Sequence, residues 1–249
     1  MEDITLISCS YNTPDVTLTM LRSFFRHHTE TPVIIIDNST NDLTKQELKR
    51  WSVPHVTNPG GLHIKSVDIL IDRVQTKYAL LVDTDVVFLK DHTAILGQVK
   101  ECNLTLAGDI CGDRGGKRIH YRVHPWHCFI DVESVRSSGV RFYNEAKQLG
   151  KSSKIYDVGC TFFEDIRGKK LRIGDIKLEG EYFKHYEGMS WRTKRYGVSE
   201  GDIDLNSEAT HNSAGLYEYG LMIERKYEQE IARYRDTKIK CKVTRFEGI

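Results

Sequence analysis

The chain has 249 residues, with 36 Lys and Arg against 35 Asp and Glu, a formal charge of +1. That balance excludes a general nucleic-acid-binding surface, and the length suffices for one large α/β domain that buries its own core without disulfides. The six cysteines are scattered, with no Cys-x-x-Cys pair, and read as reduced, mostly buried thiols.

Met1-Glu2-Asp3 runs into a strand-like segment with no signal-peptide pattern, and no apolar run reaches membrane-spanning length, so a soluble cytoplasmic protein is expected. Ile4 to Cys9 reads as a strand. Ser10-Tyr11-Asn12-Thr13-Pro14 then turns into a helix, with Thr13 as N-cap, Pro14 at the first helical position and Leu18, Leu21, Phe24 and Phe25 on the apolar face. Val33 to Ile36 is the next strand and ends at Asp37, an acid at a strand terminus after a βαβ crossover. A charged helix from about Leu43 to Trp51 and a short strand at His55 and Val56 follow. Asn58-Pro59-Gly60-Gly61 introduces a helix whose Ile64, Val67, Ile71 and Val74 share one face. Gly60 and Gly61 permit close backbone approach to a phosphate at that helix start, and Lys65 lies one turn further in.

Tyr78 to Val82 is a continuous apolar run that stops at Asp83-Thr84-Asp85, before Val86, Val87 and Phe88 resume. It reads as a buried strand delivering two carboxylates to its C-terminal edge, where open α/β sheets bind ligands. Acids so close together repel one another, and a hard divalent cation holding phosphate oxygens relieves that. The same spacing at Asp202 and Asp204 has no strand before it. A helix from Asp91 to Glu101 follows, and then the texture changes. Leu104 to Ala107, Ile119 to Val123 and Cys128 to Asp131 are short strand candidates. Asp157-Val158-Gly159 forms a turn before a helix. Leu171 to Ile176 and Tyr182 to Tyr186 are later strands, 190–213 is a polar excursion suited to a lid, and Leu216 to Arg235 is a helix with Tyr219, Ile223, Tyr227 and Ile231 in a stripe. That helix packs on the domain or pairs two subunits.

Taken together, Ile7 to Asn12, Ile36 to Ser39, Asn58 to Gly61 and Val82 to Asp85 resemble, in order and spacing, the nucleotide-binding half of a GT-A glycosyltransferase, most like family 2. The resemblance is close over roughly the first hundred residues. Further on it rests on His124-Pro125-Trp126-His127-Cys128, the Asp157-Val158-Gly159 turn and the run from His185 to Trp191. A Glu-Asp pair followed by Gln-x-x-Arg-Trp, common in family 2, is missing.

The resemblance implies a mostly parallel sheet with helices on both faces and a smaller acceptor-side sheet. A single catalytic domain would span 1–213, with a nucleotide half over 1–101, an acceptor half and lid over 102–213, and a helical extension over 214–249. It implies a sugar-nucleotide transferase with a UDP- or GDP-sugar donor, a glycan or other hydroxyl acceptor, and Mn²⁺ or Mg²⁺ as cofactor. Asp83 would meet ribose or metal-bound water, and Asp85 would ligate the metal. His185 would be an additional metal ligand, since imidazole with carboxylate suits Mn²⁺. Ser10, Tyr11 and Asn12 would hold the nucleobase, Asp37 base or ribose, and Gly61 and Lys65 the diphosphate. Arg192, Lys194 and Arg195 would supply a basic lid, and Trp126 a sugar-stacking wall. Inverting transfer needs a base for the acceptor hydroxyl, and Asp157 is the candidate, with Glu164 and Asp165 as alternatives. The rivals are a nucleotidyltransferase, whose Gly-rich loop is missing after the first strand, and an inactive binding module. His120, His124, His127, Cys128 and Cys111 match no standard zinc spacing.

Overall fold

The computed structural model describes residues 3–111, 121–145, 158–186, 189 and 225–239. Its core is a seven-stranded sheet in the order β3-β2-β1-β4-β7-β6-β8. The first four strands are β1 (Ile4–Ser10), β2 (Val33–Asp37), β3 (His55–Thr57) and β4 (Tyr78–Asp83). The others are β6 (Leu106–Cys111), β7 (Arg122–Asp131) and β8 (Ile173–Asp175). All neighbours pair in parallel except that β7 runs antiparallel to both β4 and β6. β1, β2 and the body of β4 are buried on both faces, which is why they read as unbroken apolar runs.

Helices cover both faces. On one, α1 (Pro14–Phe25), α2 (Leu43–Arg50) and α4 (Thr93–Glu101) insert Leu21, Phe24, Leu48, Leu96 and Val99 against Leu6, Ile35 and Leu80. On the other, α3 (His63–Arg73), α5 (Val132–Ser138) and α6 (Cys160–Gly168) pack Val67, Ile71, Val135 and Phe162 onto Ile7, Ile34 and Leu81. A two-stranded sheet pairs β5 (Val86–Phe88) with β9 (Phe183–His185). Among the described residues, 225–234 are helical and labelled α7; their Tyr227 and Tyr234 are buried with Val16, Val87 and Tyr186.

Three expectations change in detail. Thr13 does sit at the N-cap of α1, yet its hydroxyl makes no capping bond; its carbonyl accepts from the Thr17 N–H and hydroxyl. The two strands expected on either side of Pro125 are one strand, β7, interrupted by a bulge. Trp126 is only 9% exposed, so it is no open sugar wall. The described part of the α7 stripe, Tyr227 and Ile231, packs on the chain's own core. Among the described residues no helix is long and apolar enough to cross a membrane.

Candidate active site at the carboxyl edge of the sheet

The strand order reverses between β1 and β4, and ligands of open α/β sheets bind at such a switch point, beyond the carboxyl ends of the strands. Ser10, Asp37, Asp83 and Cys111 end their strands at this edge, and the antiparallel β7 begins there with Arg122.

The loops after β1 and β2 are tied together by Asn12. With φ of 52°, a left-handed conformation that asparagine tolerates, it directs its side-chain oxygen to the Thr40 N–H at 3.0 Å and the Asn41 amide at 2.9 Å. Its own N–H donates to the Ser39 hydroxyl at 2.8 Å. Asp37 is buried and accepts the Ser39 N–H at 3.1 Å, closing an Asx-type turn. Ser10 is buried against the Thr17 hydroxyl at 2.7 Å, whereas Tyr11 is half-buried at the edge. A Cβ on Gly61 would lie 1.9 Å from the Asn58 amide nitrogen and 2.9 Å from the Asn38 oxygen, so a side chain there would displace the Asn58 amide from its bonds to Asn38 and Ser66. Lys65 is exposed, with its ammonium 4.4 Å from the centre of the Tyr143 ring.

Asp83 closes β4, a two-residue turn follows, and Asp85 stands at the entry to β5. Pairing of Val86 with His185 brings β9 alongside, and the Tyr186 N–H donates to the Asp85 carbonyl at 2.9 Å. His185 Nε2 lies 3.2 Å from Asp85 Oδ1, with both side chains only 6% exposed, and the Met189 N–H donates to Asp85 Oδ2 at 3.3 Å. One ligand atom from each of Asp83, Asp85 and His185 lies within 4.8 Å of the others, the one such group among the described residues. Asp83 is more open, and His63, the first residue of α3, places Nε2 3.9 Å from its Oδ1. Burial raises the Asp83 carboxyl above its ordinary value, with His63 opposing and Asp85 reinforcing the shift. The flanking thiols of Cys9 and Cys128 are pushed up by burial and by the Asp83 charge, so they stay protonated. The donor set is thus two carboxylates and an imidazole, chemistry that fits Mn²⁺ or Mg²⁺.

β7 bulges where it passes this group. Gly108 pairs with Cys128 and Ile110 with Val123, so two steps on β6 face five on β7, and His124 to His127 lose their partners on β6, although His127 still pairs with Val82 on β4. Pro125, which lacks a ladder donor, belongs in such a place. Trp126 stacks on His124, ring centres 3.4 Å apart, and on His185 at 4.6 Å. His127 goes elsewhere. Its ring lies parallel to Phe183 at 4.3 Å, and its Nε2 is 3.0 Å from His92 Nε2.

His92 Nδ1 donates to the Lys90 carbonyl, and the His92 N–H donates to His28 Nε2, whose Nδ1 faces Asp91 at 3.3 Å. The neighbours therefore fix one tautomer for each of three buried neutral imidazoles. Of the His and Cys residues that match no standard zinc spacing, Cys111 and His124 approach to 3.6 Å, and among the described residues they form no metal-ligating group; His120 lies outside the described residues.

Asp157 also lies outside the described residues, as do Trp191, Arg192, Lys194, Arg195, Asp202, Asp204, Tyr219 and Ile223. The end of the Asp157 turn is anchored at this edge. The Val158 carbonyl accepts from Arg122 at 3.4 Å, and Gly159, at φ of 87°, leaves 2.7 Å between a would-be Cβ and the Val123 carbonyl. Asp165 accepts from Asn144 at 3.4 Å, and Glu164 is half-buried beside it on α6. His63 and Arg122 escaped the sequence reading. The signal that could have found His63 is its place as first residue of the helix after Gly61.

No curated protein matches the chain significantly. Among solved structures, residues 1–349 of S. aureus TarS in complex with UDP superpose with a TM-score of 0.52 at 12% identity, covering 96% of this chain and 90% of that one. Measured against a longer TarS structure, the chain spans 55% of its relative. Mannosyltransferase PcManGT from Pyrobaculum calidifontis, in complex with GDP-Man and Mn²⁺, gives 0.50 at 11% identity, covering 93% and 73%. Galactosyltransferase LgtC with donor and acceptor sugar analogues gives 0.51 at 10%, covering 79% and 98%. At such identities the likeness speaks for the GT-A fold alone. The model of the family described as glycosyl transferase family 2 matches residues 5–164. That span runs from β1 through the Asp83 turn and the β7 bulge into α6, and on it this chain belongs to glycosyl transferase family 2.

Proposed function

We propose that the protein transfers a sugar, with inversion, from a UDP- or GDP-sugar to a hydroxyl acceptor, with a divalent cation, Mn²⁺ or Mg²⁺, held by Asp83, Asp85 and His185. The observation that carries this reading is the preassembled group of two carboxylates and an imidazole at the switch point. The cation supplies Lewis-acid stabilisation of the charge developing on the departing diphosphate. Asp85, buried and held by the Met189 N–H, is oriented before any cation arrives. Asp83, more exposed, faces ribose or metal-bound water. Ser10, Tyr11, Asn12 and Asp37 line the nucleoside end, and Gly61 lets the backbone come close to phosphate. In this reading residues 1–101 are the nucleotide half and 102–213 the acceptor half, with 214–249 an extension whose helix braces β5. Asp157 takes the acceptor proton.

Thermal denaturation with a panel of nucleoside diphosphates, with and without Mn²⁺, tests the reading. One diphosphate raises Tm only when the cation is present. Asp157→Asn keeps that shift while losing transfer, and product anomers scored by NMR show inversion. A shift that ignores the cation defeats the metal-dependent mechanism.

His63 supports a revision of the Lys65 role. Lys65 leans on Tyr143, while His63 stands half-exposed beside Asp83 at the start of α3, where the helix N-terminus also favours anions. His63→Ala is expected to weaken nucleoside diphosphate binding about tenfold, the scale of one lost charge-assisted hydrogen bond. Titration calorimetry reads it, with Lys65→Ala changing affinity less.

A further inference from the structure

Trp126 and His127 are consecutive in the chain, yet their rings stack on alternate residues of one short strand. Trp126 lies on His185 at 4.6 Å and 30°, His127 on Phe183 at 4.3 Å and 4°. In a regular strand two successive side chains point to opposite faces. Only the bulge of β7 turns both toward β9.

β9 needs that grip. It is three residues long and pairs with the equally short β5, and a two-stranded ribbon of that size is marginal alone. The Asp83 and Asp85 carboxylates are fixed by β4 and the turn leaving it. His185 comes from β9, so the spacing of the three ligand atoms depends on what holds β9 and rotates the imidazole.

We propose that Trp126 is a positioning residue for His185. Its indole, backed by the His124 ring at 3.4 Å, holds the imidazole in the orientation from which Nε2 faces Asp85, while His127 on Phe183 fixes the strand that carries it. The proposal rests on the reading of Asp83, Asp85 and His185 as a cation site. Trp126 does not touch the cation. It removes the side-chain freedom that His185 would otherwise lose on binding; outer-shell partners that orient a metal-bound histidine by hydrogen bonding change metal affinity by about 10–100-fold, and the stacked ring is expected to act on the same scale. The sugar-stacking role expected for Trp126 is replaced by this internal one.

The test is binding of Mn²⁺ alone, followed by the EPR signal of the free ion, in wild type, Asp85→Ala, Trp126→Leu and Trp126→Phe. The expected pattern is strong loss in Asp85→Ala, about 10–100-fold weakening in Trp126→Leu, and recovery of most of that affinity in Trp126→Phe, which restores a flat ring. Folded Trp126→Leu with wild-type affinity, beside a weakened Asp85→Ala, overturns the positioning role and leaves the cation site standing. Equal affinity in Asp85→Ala and wild type overturns the cation site, and the positioning role falls with it. Should Trp126→Leu not fold, the metal-free wild type decides by NMR. The His185 ring proton is shifted upfield by the stacked indole if the proposal holds, and a resonance at the position of exposed histidines overturns it.

Discussion

Asp85→Ala is expected to lower sugar transfer by about 10²–10³-fold and to abolish the cation-dependent part of nucleotide binding. Asp85 is the common member of the group: Oδ1 meets His185 at 3.2 Å, and Oδ2 is held by the Met189 N–H at 3.3 Å. Without it, Asp83 and His185 remain as two donors on separate sheets. In the wild type, a nucleoside diphosphate bound with Mn²⁺ at a hundred times its Kd is expected to add about 2.7 kcal/mol. For a chain of this size that is a Tm rise of roughly 5–10 °C. The Mn²⁺ increment should disappear in Asp85→Ala and also in Asp85→Asn, which keeps the shape and an acceptor for Met189 but not the charge. An unchanged increment in Asp85→Asn would contradict the assignment.

The second large effect is loss of stability in mild acid. Burial depresses His28 to about 4 and His92 to about 3, and lowers His127 well below its ordinary value. Asp91 works against the shift at His28, and the neighbouring His27 adds to it. Above the unfolded value near 6.5, all three are neutral in both states and cost nothing. As pH falls below that, the unfolded chain takes up protons that the fold refuses, so stability drops until the folded values are reached. His28 alone accounts for about 3 kcal/mol by pH 4, a large share of the 5–15 kcal/mol typical of a domain. Asp83 runs the other way, because its raised carboxyl gains a proton more readily in the fold.

Urea unfolding from pH 7 to pH 4 should show a slope of about 1.4 kcal/mol per pH unit for each titrating histidine. His127→Phe, which retains a ring against Phe183, should remove one proton from that slope. A flat profile down to pH 4.5 would mean the three are not held neutral.

The parallel half of the sheet was legible because β1, β2 and β4 are buried on both faces and appear as pure apolar runs between turn residues. Asp37 and Asp83 at strand ends followed from the same pattern. The β7 region was not legible in that way. Proline and two histidines break the alternation, so one bulged strand looks like two, and nothing local reveals that Trp126 and His127 face the same neighbour. The phosphate role for Lys65 came from its place one turn into α3, but Tyr143, far along the chain, offers the ammonium a ring. The pairing of Asp85 with His185 came only through resemblance, since no periodicity connects residues so far apart. Capping propensity found the place of Thr13 but not the bonding there: the Thr13 carbonyl receives Thr17, and the hydroxyl makes no capping bond.

The strand order also governs when the site can exist during folding. β4 gains its second neighbour only when β7 arrives, and Asp85 and His185 are 100 residues apart. Long-range pairing of that kind brings its loop-closure entropy before any contact rewards it. Until β7 docks, β4 presents an unpaired apolar edge, which makes the incomplete chain prone to association. The β5–β9 pairing that gathers the ligands spans the same long separation. A ligand recognised only by that finished arrangement binds after the folding barrier, so it prolongs the life of the native state without hastening its formation.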